Sequence, residues 1–258
     1  MNIPAIDRTE VPAALRLAVE CAIEEAEELG DIPQRLHAQL RDSGAFRLLT
    51  PREYGGVEMP LTEALELYEK FGHIDASTGL LVWNANFGFM AALLDEAAAQ
   101  TIWADDREPV FANSASPGMA ERVRGGFRLS GRWEIVTGIN HADWFVGIGA
   151  VHHCDGPATS AAEAPEVRVF VVPRSQFVVE DTWNTTGTRG SGSNAVVVTN
   201  ASIPFDMTFT IDQPARIDRP LYRGFIPALV LPGVAAVVLG TARRVIERRP
   251  PSSPTRKR

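Results

Sequence analysis

Residues 110–146 read VFANSASPGMAERVRGGFRLSGRWEIVTGINHADWFV, and this stretch decides the fold. The runs 127–130 and 133–137 alternate apolar and polar side chains at period two, with Gly125, Gly126 and Gly131 between them. That is the pattern of half-buried antiparallel strands joined by tight turns. Trp133, Asn113, Thr137 and His141 lie inside the same stretch, so the strands also offer a binding surface.

Working outward, further short strands are expected at 110–113, 144–151, 167–172, 177–179 and 195–198, with a Gly, Ala, Ser and Pro-rich surface loop at 152–165. Many short strands separated by turn signals predict a β-barrel or sandwich. Upstream the period changes to that of helices. Leu15, Ala18, Val19, Ala22, Ile23 and Ala26 recur at helical spacing between Pro12 and Gly30, and further helices are expected at 33–43, 61–72 and 96–103. Residues 48–60 read as a Pro and Gly-rich loop, and a last, almost uncharged helix is expected near 227–249. The fold class is therefore α+β: a helical N-terminal domain (1–108), a middle β-domain (109–215) and a short C-terminal helical part with a basic, Pro-rich tail (216–258).

A formal net charge of -7 with basic residues concentrated only at the extreme C-terminus argues against a nucleic-acid partner. The two cysteines, Cys21 and Cys154, have no metal-ligand spacing and make no disulfide framework, so no metal is expected and a reducing cytoplasm fits. The first twelve residues contain no apolar core run and do not read as a secretory signal. Residues 224–242 are apolar over a length that would cross a membrane, but Pro227, Pro232 and Gly233 divide them, and a helix apolar on all sides also suits burial in a bundle.

The order P-G-x-A-E-x-V-x-G-G-F-R-L-S-G-R-W (117–133), T-G (137–138) and H-A-D-W (141–144) resembles the flavin-binding middle domain of the acyl-CoA dehydrogenase superfamily, most closely its aromatic-hydroxylating monooxygenase branch. Residues 32–82 are similar to the superfamily's helical N-terminal domain, and WNTTGTRGSGSNAVVVTNASIP (183–204) to the segment closing its β-domain. The resemblance implies a flavin, FAD or FMN, held along Asn113, Ser114, Ala115 and Ser116. Val136, Thr137 and Gly138 would close around the reactive edge with Trp133 nearby. It implies a chemical role for Thr137 and His141, a structural or flavin-phosphate role for Arg189, and a substrate-facing helix carrying Trp83, Asn84 and Asn86. Each has a plainer reading: Thr137 as a strand residue, Asn113 and Ser114 as turn residues, His141 as structural, Trp83 as core.

Within the superfamily, the monooxygenase reading implies a small aromatic or polycyclic substrate, O2 and a separate flavin reductase; the dehydrogenase reading implies FAD and acyl-CoA desaturation. Ala115-Ser116-Pro117-Gly118-Met119-Ala120-Glu121 stands where dehydrogenases carry T-E-P-G-x-G-S-D, which favours the monooxygenase branch, although that branch has Ser at the place of Thr137. Relatives have a C-terminal helical bundle that covers the flavin and builds a homo-oligomer. Only its first helix is recognisable here, before Arg248-Arg249-Pro250-Pro251, so the chain also reads as a truncated, non-catalytic flavin-binding subunit of little turnover on its own.

Overall fold

Residues 9–104, 108–152, 166–224 and 226–248 are described by the computed structural model. Helix α1 (Ala13–Leu29) buries Leu15, Val19, Ala22 and Ala26, and ends at Gly30, whose left-handed φ of 69° lets its N–H reach the Ala26 carbonyl. Helices α2 (Gln34–Asp42), α3 (Leu61–Ile74), α4 (Ala76–Ala85) and α5 (Glu96–Ile102) follow, the last two started by Asp75 and Asp95 side chains that accept backbone N–H groups. Residues 75–94, nearly all apolar, thus split between α4 and a buried 3-10 turn, Gly88–Ala92.

The change from helix to strand comes between Ile102 and Phe111. Strands β1 (Phe111–Val123), β2 (Gly126–Trp133), β3 (Trp144–His152), β4 (Glu166–Pro173), β5 (Val178–Glu180), β6 (Ala195–Pro204) and β7 (Thr208–Thr210) form one sheet in the order β5-β6-β2-β1-β3-β4-β7. On a flat sheet β2 and β4 would lie about 14 Å apart, three spacings of about 4.8 Å. Yet the rings of Phe127 on β2 and Phe170 on β4 meet edge-on at 5.4 Å. The sheet therefore curls around an aromatic core of Phe127, Trp133, Phe145 and Phe170, barrel-like but with β5 and β7 as open edges.

Three details depart from expectation. The pairing is mixed, since β1 runs antiparallel to β2 but parallel to β3. The strand expected over 133–136 ends at Trp133, and Ile135 beyond it takes a left-handed φ of 56°. Strands β1 and β6 run on to Val123 and Pro204, well past the expected 113 and 198, and β7 was not among the expected strands although Met207 to Ile211 alternate at period two. Of the expected loop 152–165, His152 ends β3, while residues 153–165 with Cys154, and the tail 249–258, lie outside the described residues.

Helix α6 (Ile226–Glu247) buries Ile226, Leu229, Gly233, Val237 and Gly240. Against α3 the contact is backbone to backbone: a Cβ added to Gly240 would sit 1.9 Å from the Glu69 carbonyl, and one on Gly72 2.3 Å from the Val237 carbonyl. Thr241 Oγ1 and Arg244 Nη1 then donate to carbonyls at the end of α3, Gly72 and His73. Among the described residues α6 is the one helix long and apolar enough to cross a membrane, but this face is packed on protein. Leu231, Val238, Val245 and Ile246 on its other side remain exposed. Replacing Gly240 by Val is expected to lower stability by about 2 kcal/mol or more in urea or thermal unfolding, because two backbones must separate. Replacing exposed Val238 by Thr should stay within about 0.5 kcal/mol.

Candidate functional site

Strands β2 and β3 flank β1 on opposite sides, so the chain between them, residues 134–143, must cross the beginning of β1. That crossing brings residues 135–141 beside Asn113 and Ser114. Val136 N–H donates to the Asn194 carbonyl at 3.0 Å and Gly138 N–H to the Ser191 carbonyl at 3.0 Å, which fastens the crossing to the loop before β6. Gly138 is required here for two reasons. Its φ is 73°, and a Cβ would lie 2.2 Å from Leu81 of α4, so the glycine serves the approach of α4 rather than that of a ligand.

Thr137 sits at the centre of a buried polar chain. Its carbonyl accepts from Asn84 Nδ2 at 2.7 Å, and its hydroxyl meets Ser193 Oγ at 2.9 Å, which in turn meets Ser191 Oγ at 2.7 Å. Asn84 Oδ1 accepts from Asn113 Nδ2, closing the link between α4 and β1. Of the residues expected from the sequence, Asn84, Asn113, Thr137, Val136 and Gly138 are thus brought together. Ser114 adjoins them, donating to the Glu134 carbonyl at 3.3 Å, while Ala115 and Ser116 fall in a break of the β1–β3 register and face solvent.

Ser191 and Ser193 were not singled out by the sequence, and the only signal for them was the G-S-G-S repeat within the closing motif. Ile135 was missed as well. A β-branched side chain in the left-handed region is a true outlier, and this one is 63% exposed immediately before Val136 and Thr137.

The remaining expected residues lie apart. Trp133 is fully buried in the β-core, its Nε1 donating to the Ile148 carbonyl. Trp83 points the other way, to the Val230 carbonyl of α6 at 3.0 Å. Asn86 is saturated by backbone, accepting from Leu48 N–H and donating to the carbonyls of Ala45 and Val82. Arg189 donates Nε to the Glu27 carbonyl in the last turn of α1 and Nη1 to Asn184 and Thr185.

His141 is part of a contact between the helical and β-domains. Its Nε2 lies 3.2 Å from Asp31 Oδ1, and its ring stacks on His37 of α2 at 4.5 Å. Asp31 also accepts from Asn140 Nδ2 and from Ile32 N–H, each at 2.8 Å. Burial pushes the Asp31 carboxyl up, but the His141 imidazole beside it and the Asn140 and Ile32 hydrogen bonds outweigh it and hold the group below the usual carboxylate range. Burial pushes the His37 imidazole down to about 4, with His141 and Arg41 acting in the same direction. His37 is thus a neutral ring at physiological pH, and its buried Nε2 has no hydrogen-bond partner.

Against known proteins, residues 8–101 match the family described as acyl-CoA dehydrogenase, N-terminal domain. The chain is 32% identical to indole-3-acetate monooxygenase of Pseudomonas putida over 79% of its length and 51% of the relative's. It is 27% identical to the oxygenase subunit HsaA of a flavin-dependent monooxygenase of Rhodococcus jostii, over 81% and 54%. XiaF from a Streptomyces species, solved with FADH2 and glycerol, superposes with a TM-score of 0.81 at 26% identity, covering 95% of this chain and 63% of that one. The chain is a homologue of flavin-dependent monooxygenase oxygenase components, with an acyl-CoA dehydrogenase N-terminal domain. It spans about half the length of the curated relatives.

The His37 environment has a measurable consequence. A base whose folded pKa is lowered favours the unfolded state wherever the unfolded histidine is protonated and the folded one is not. Stability is therefore expected to be unaffected by His37 above pH 6.5 and to fall as pH drops from 6.5 to about 4. The loss from this residue is at most about 3 kcal/mol. Unfolding midpoints of wild type and His37→Phe, compared between pH 7.5 and 4.5, should diverge in that window, and parallel curves would refute the assignment.

Proposed function

We propose that the chain carries the flavin-binding face of an oxygenase component in a two-component flavin-dependent monooxygenase that hydroxylates an aromatic or polycyclic small molecule. The observation that carries this reading is the crossing segment: exposed Ile135 follows Glu134, whose carbonyl accepts from Ser114 at the start of the register break, with Thr137 two residues on. An isoalloxazine is a flat apolar ring with polar atoms along one edge. Ile135 offers an exposed apolar contact, backbone outside the ladder at Ala115 and Ser116 offers amide groups, and the Thr137 hydroxyl offers a polar partner, so the residues present fit such a ring. The relatives' names supply the class, and the loss of the dehydrogenase T-E-P-G-x-G-S-D pattern at 115–121 favours hydroxylation over desaturation.

Reduced flavin, when bound, supplies the two electrons with which O2 gives one oxygen atom to the substrate and the other to water. This chain's part is to hold the ring and exclude solvent from one side of it. Thr137 is the residue assigned to the ring's polar edge. His141 is assigned to holding the crossing segment on the helical domain through Asp31, in place of direct chemistry. A separate flavin reductase is the partner this reading requires, and the outward apolar face of α6 supports self-association. Trp83 and Asn86, which bond away from Thr137, are assigned to packing and not to substrate.

The test is titration of the purified chain with FMN and with FAD, oxidised and dithionite-reduced, followed by fluorescence quenching and absorption. Saturable binding is expected, and Ile135→Asp should weaken it more than about tenfold by placing a charge against the ring. Binding unchanged by Ile135→Asp would move the flavin elsewhere, and no binding of either flavin would remove the proposal.

A further inference from the structure

Three hydroxyls stand in a row behind the proposed flavin face, and their order of burial fixes their direction. Ser191 is 0% exposed, Ser193 2% and Thr137 8%. Each hydroxyl carries one proton and two acceptor lone pairs. Two hydrogen bonds join the three, at 2.7 Å between Ser191 and Ser193 and 2.9 Å between Ser193 and Thr137, so one of the three protons is left over. Among the described residues Ser193 Oγ is the one side-chain partner of Ser191 Oγ. A leftover proton on Ser191, or on Ser193 between two donors, would be an unsatisfied donor in the interior, which costs the full desolvation of the group. Ser191 therefore donates to Ser193, Ser193 donates to Thr137, and the free proton belongs to Thr137, the least buried of the three.

We infer that Ser191 and Ser193 are positioning residues that make the Thr137 hydroxyl a hydrogen-bond donor toward the polar edge of the flavin. The inference rests on the flavin reading given above. It adds that the donor is oriented before the ligand arrives, by a row of hydroxyls buried behind it. The surrounding backbone keeps the row in place independently of the hydroxyls: Val136 and Gly138 are bonded to the carbonyls of Asn194 and Ser191, and the Thr137 carbonyl is held by Asn84. Removing a serine hydroxyl should therefore release the Thr137 rotor without moving its backbone.

The experiment is a double-mutant cycle on Ser193→Ala and Thr137→Val, read by FMN and FAD affinity and by the visible absorption band of bound oxidised flavin. Each single variant is expected to weaken binding about fivefold, the value of one hydrogen bond, and to shift the band in the same direction. In the Thr137→Val background Ser193→Ala should cost nothing further, because there is no hydroxyl left to orient. Equal losses in both backgrounds would show that Ser193 is merely structural, and unaltered binding by Ser193→Ala would also overturn the inference. Thermal melting of the apo protein controls for folding, and Ser193→Cys, which keeps the shape but is a weak donor, should fall between Ser and Ala. If wild type binds flavin and the cycle is additive, this inference alone fails. If wild type binds none, the flavin reading fails first.

Discussion

The parallel pairing of β1 with β3 is the constraint on which the site depends. A hairpin places β2 against one edge of β1, and β3 must pair with the other, so the connection has to pass over the start of β1. Two antiparallel hairpins in sequence would have left residues 134–143 as a turn in solvent. The crossing instead carries a β-branched residue in a left-handed conformation, a glycine at φ 73° and a buried threonine within ten residues. Strain of this kind, of order 1–3 kcal/mol at Ile135, persists only where surrounding bonds over-determine the backbone.

Those bonds come mostly from outside the sheet. The 187–194 loop, which holds the crossing from one side, is itself held by α1: Arg189 reaches the Glu27 carbonyl, and a Cβ on Gly190 would press at 2.8 Å on that of Ala26. Gly192, at φ 53°, approaches Asp31 so closely that a Cβ would stand 2.4 Å from its Oδ1. Asp31 then takes Asn140 and His141 from the far end of the crossing. One turn of the helical domain, residues 30–32, thus touches both segments that meet at Thr137. The β-domain does not shape this face alone, which gives the N-terminal helices a role in the site even where they present no group to a ligand.

How much of this the sequence revealed follows from what periodicity and motifs can carry. The helices of the N-terminal part were legible because Leu15, Val19, Ala22 and Ala26 repeat at helical spacing between Pro and Gly, and their burial is the cause of that spacing. The flavin-like stretch was legible through motif order, and Asn84, Asn113 and Thr137 do meet. What failed to show was anything set by topology. Alternation at period two cannot say whether neighbours run parallel, so the crossing looked like an extension of β2. Ser191 and Ser193 sit among glycines whose composition spells only a loop, and their alignment behind Thr137 is created by pairing with residues more than fifty positions away. His141 stood out as a lone imidazole, but its partners, Asp31 and His37, are a hundred residues distant and carry no local signature.

Helix α4 joins the two halves of the molecule through neighbouring residues. Successive positions on a helix point about 100° apart. Trp83 accordingly reaches the Val230 carbonyl of α6 while Asn84 reaches the Thr137 carbonyl of the crossing. Gly79 on the same helix admits Gly72 and Val237, where a Cβ would meet atoms at 2.8 to 3.0 Å, so α3, α4 and α6 share one close-packed seam. Leu81 fills the space that Gly138 leaves open. Displacing α6 would therefore remove the partner of Trp83 and loosen the helix from which Asn84 holds Thr137. The C-terminal helix and the crossing segment are thus joined through two adjacent residues of one helix, Trp83 and Asn84.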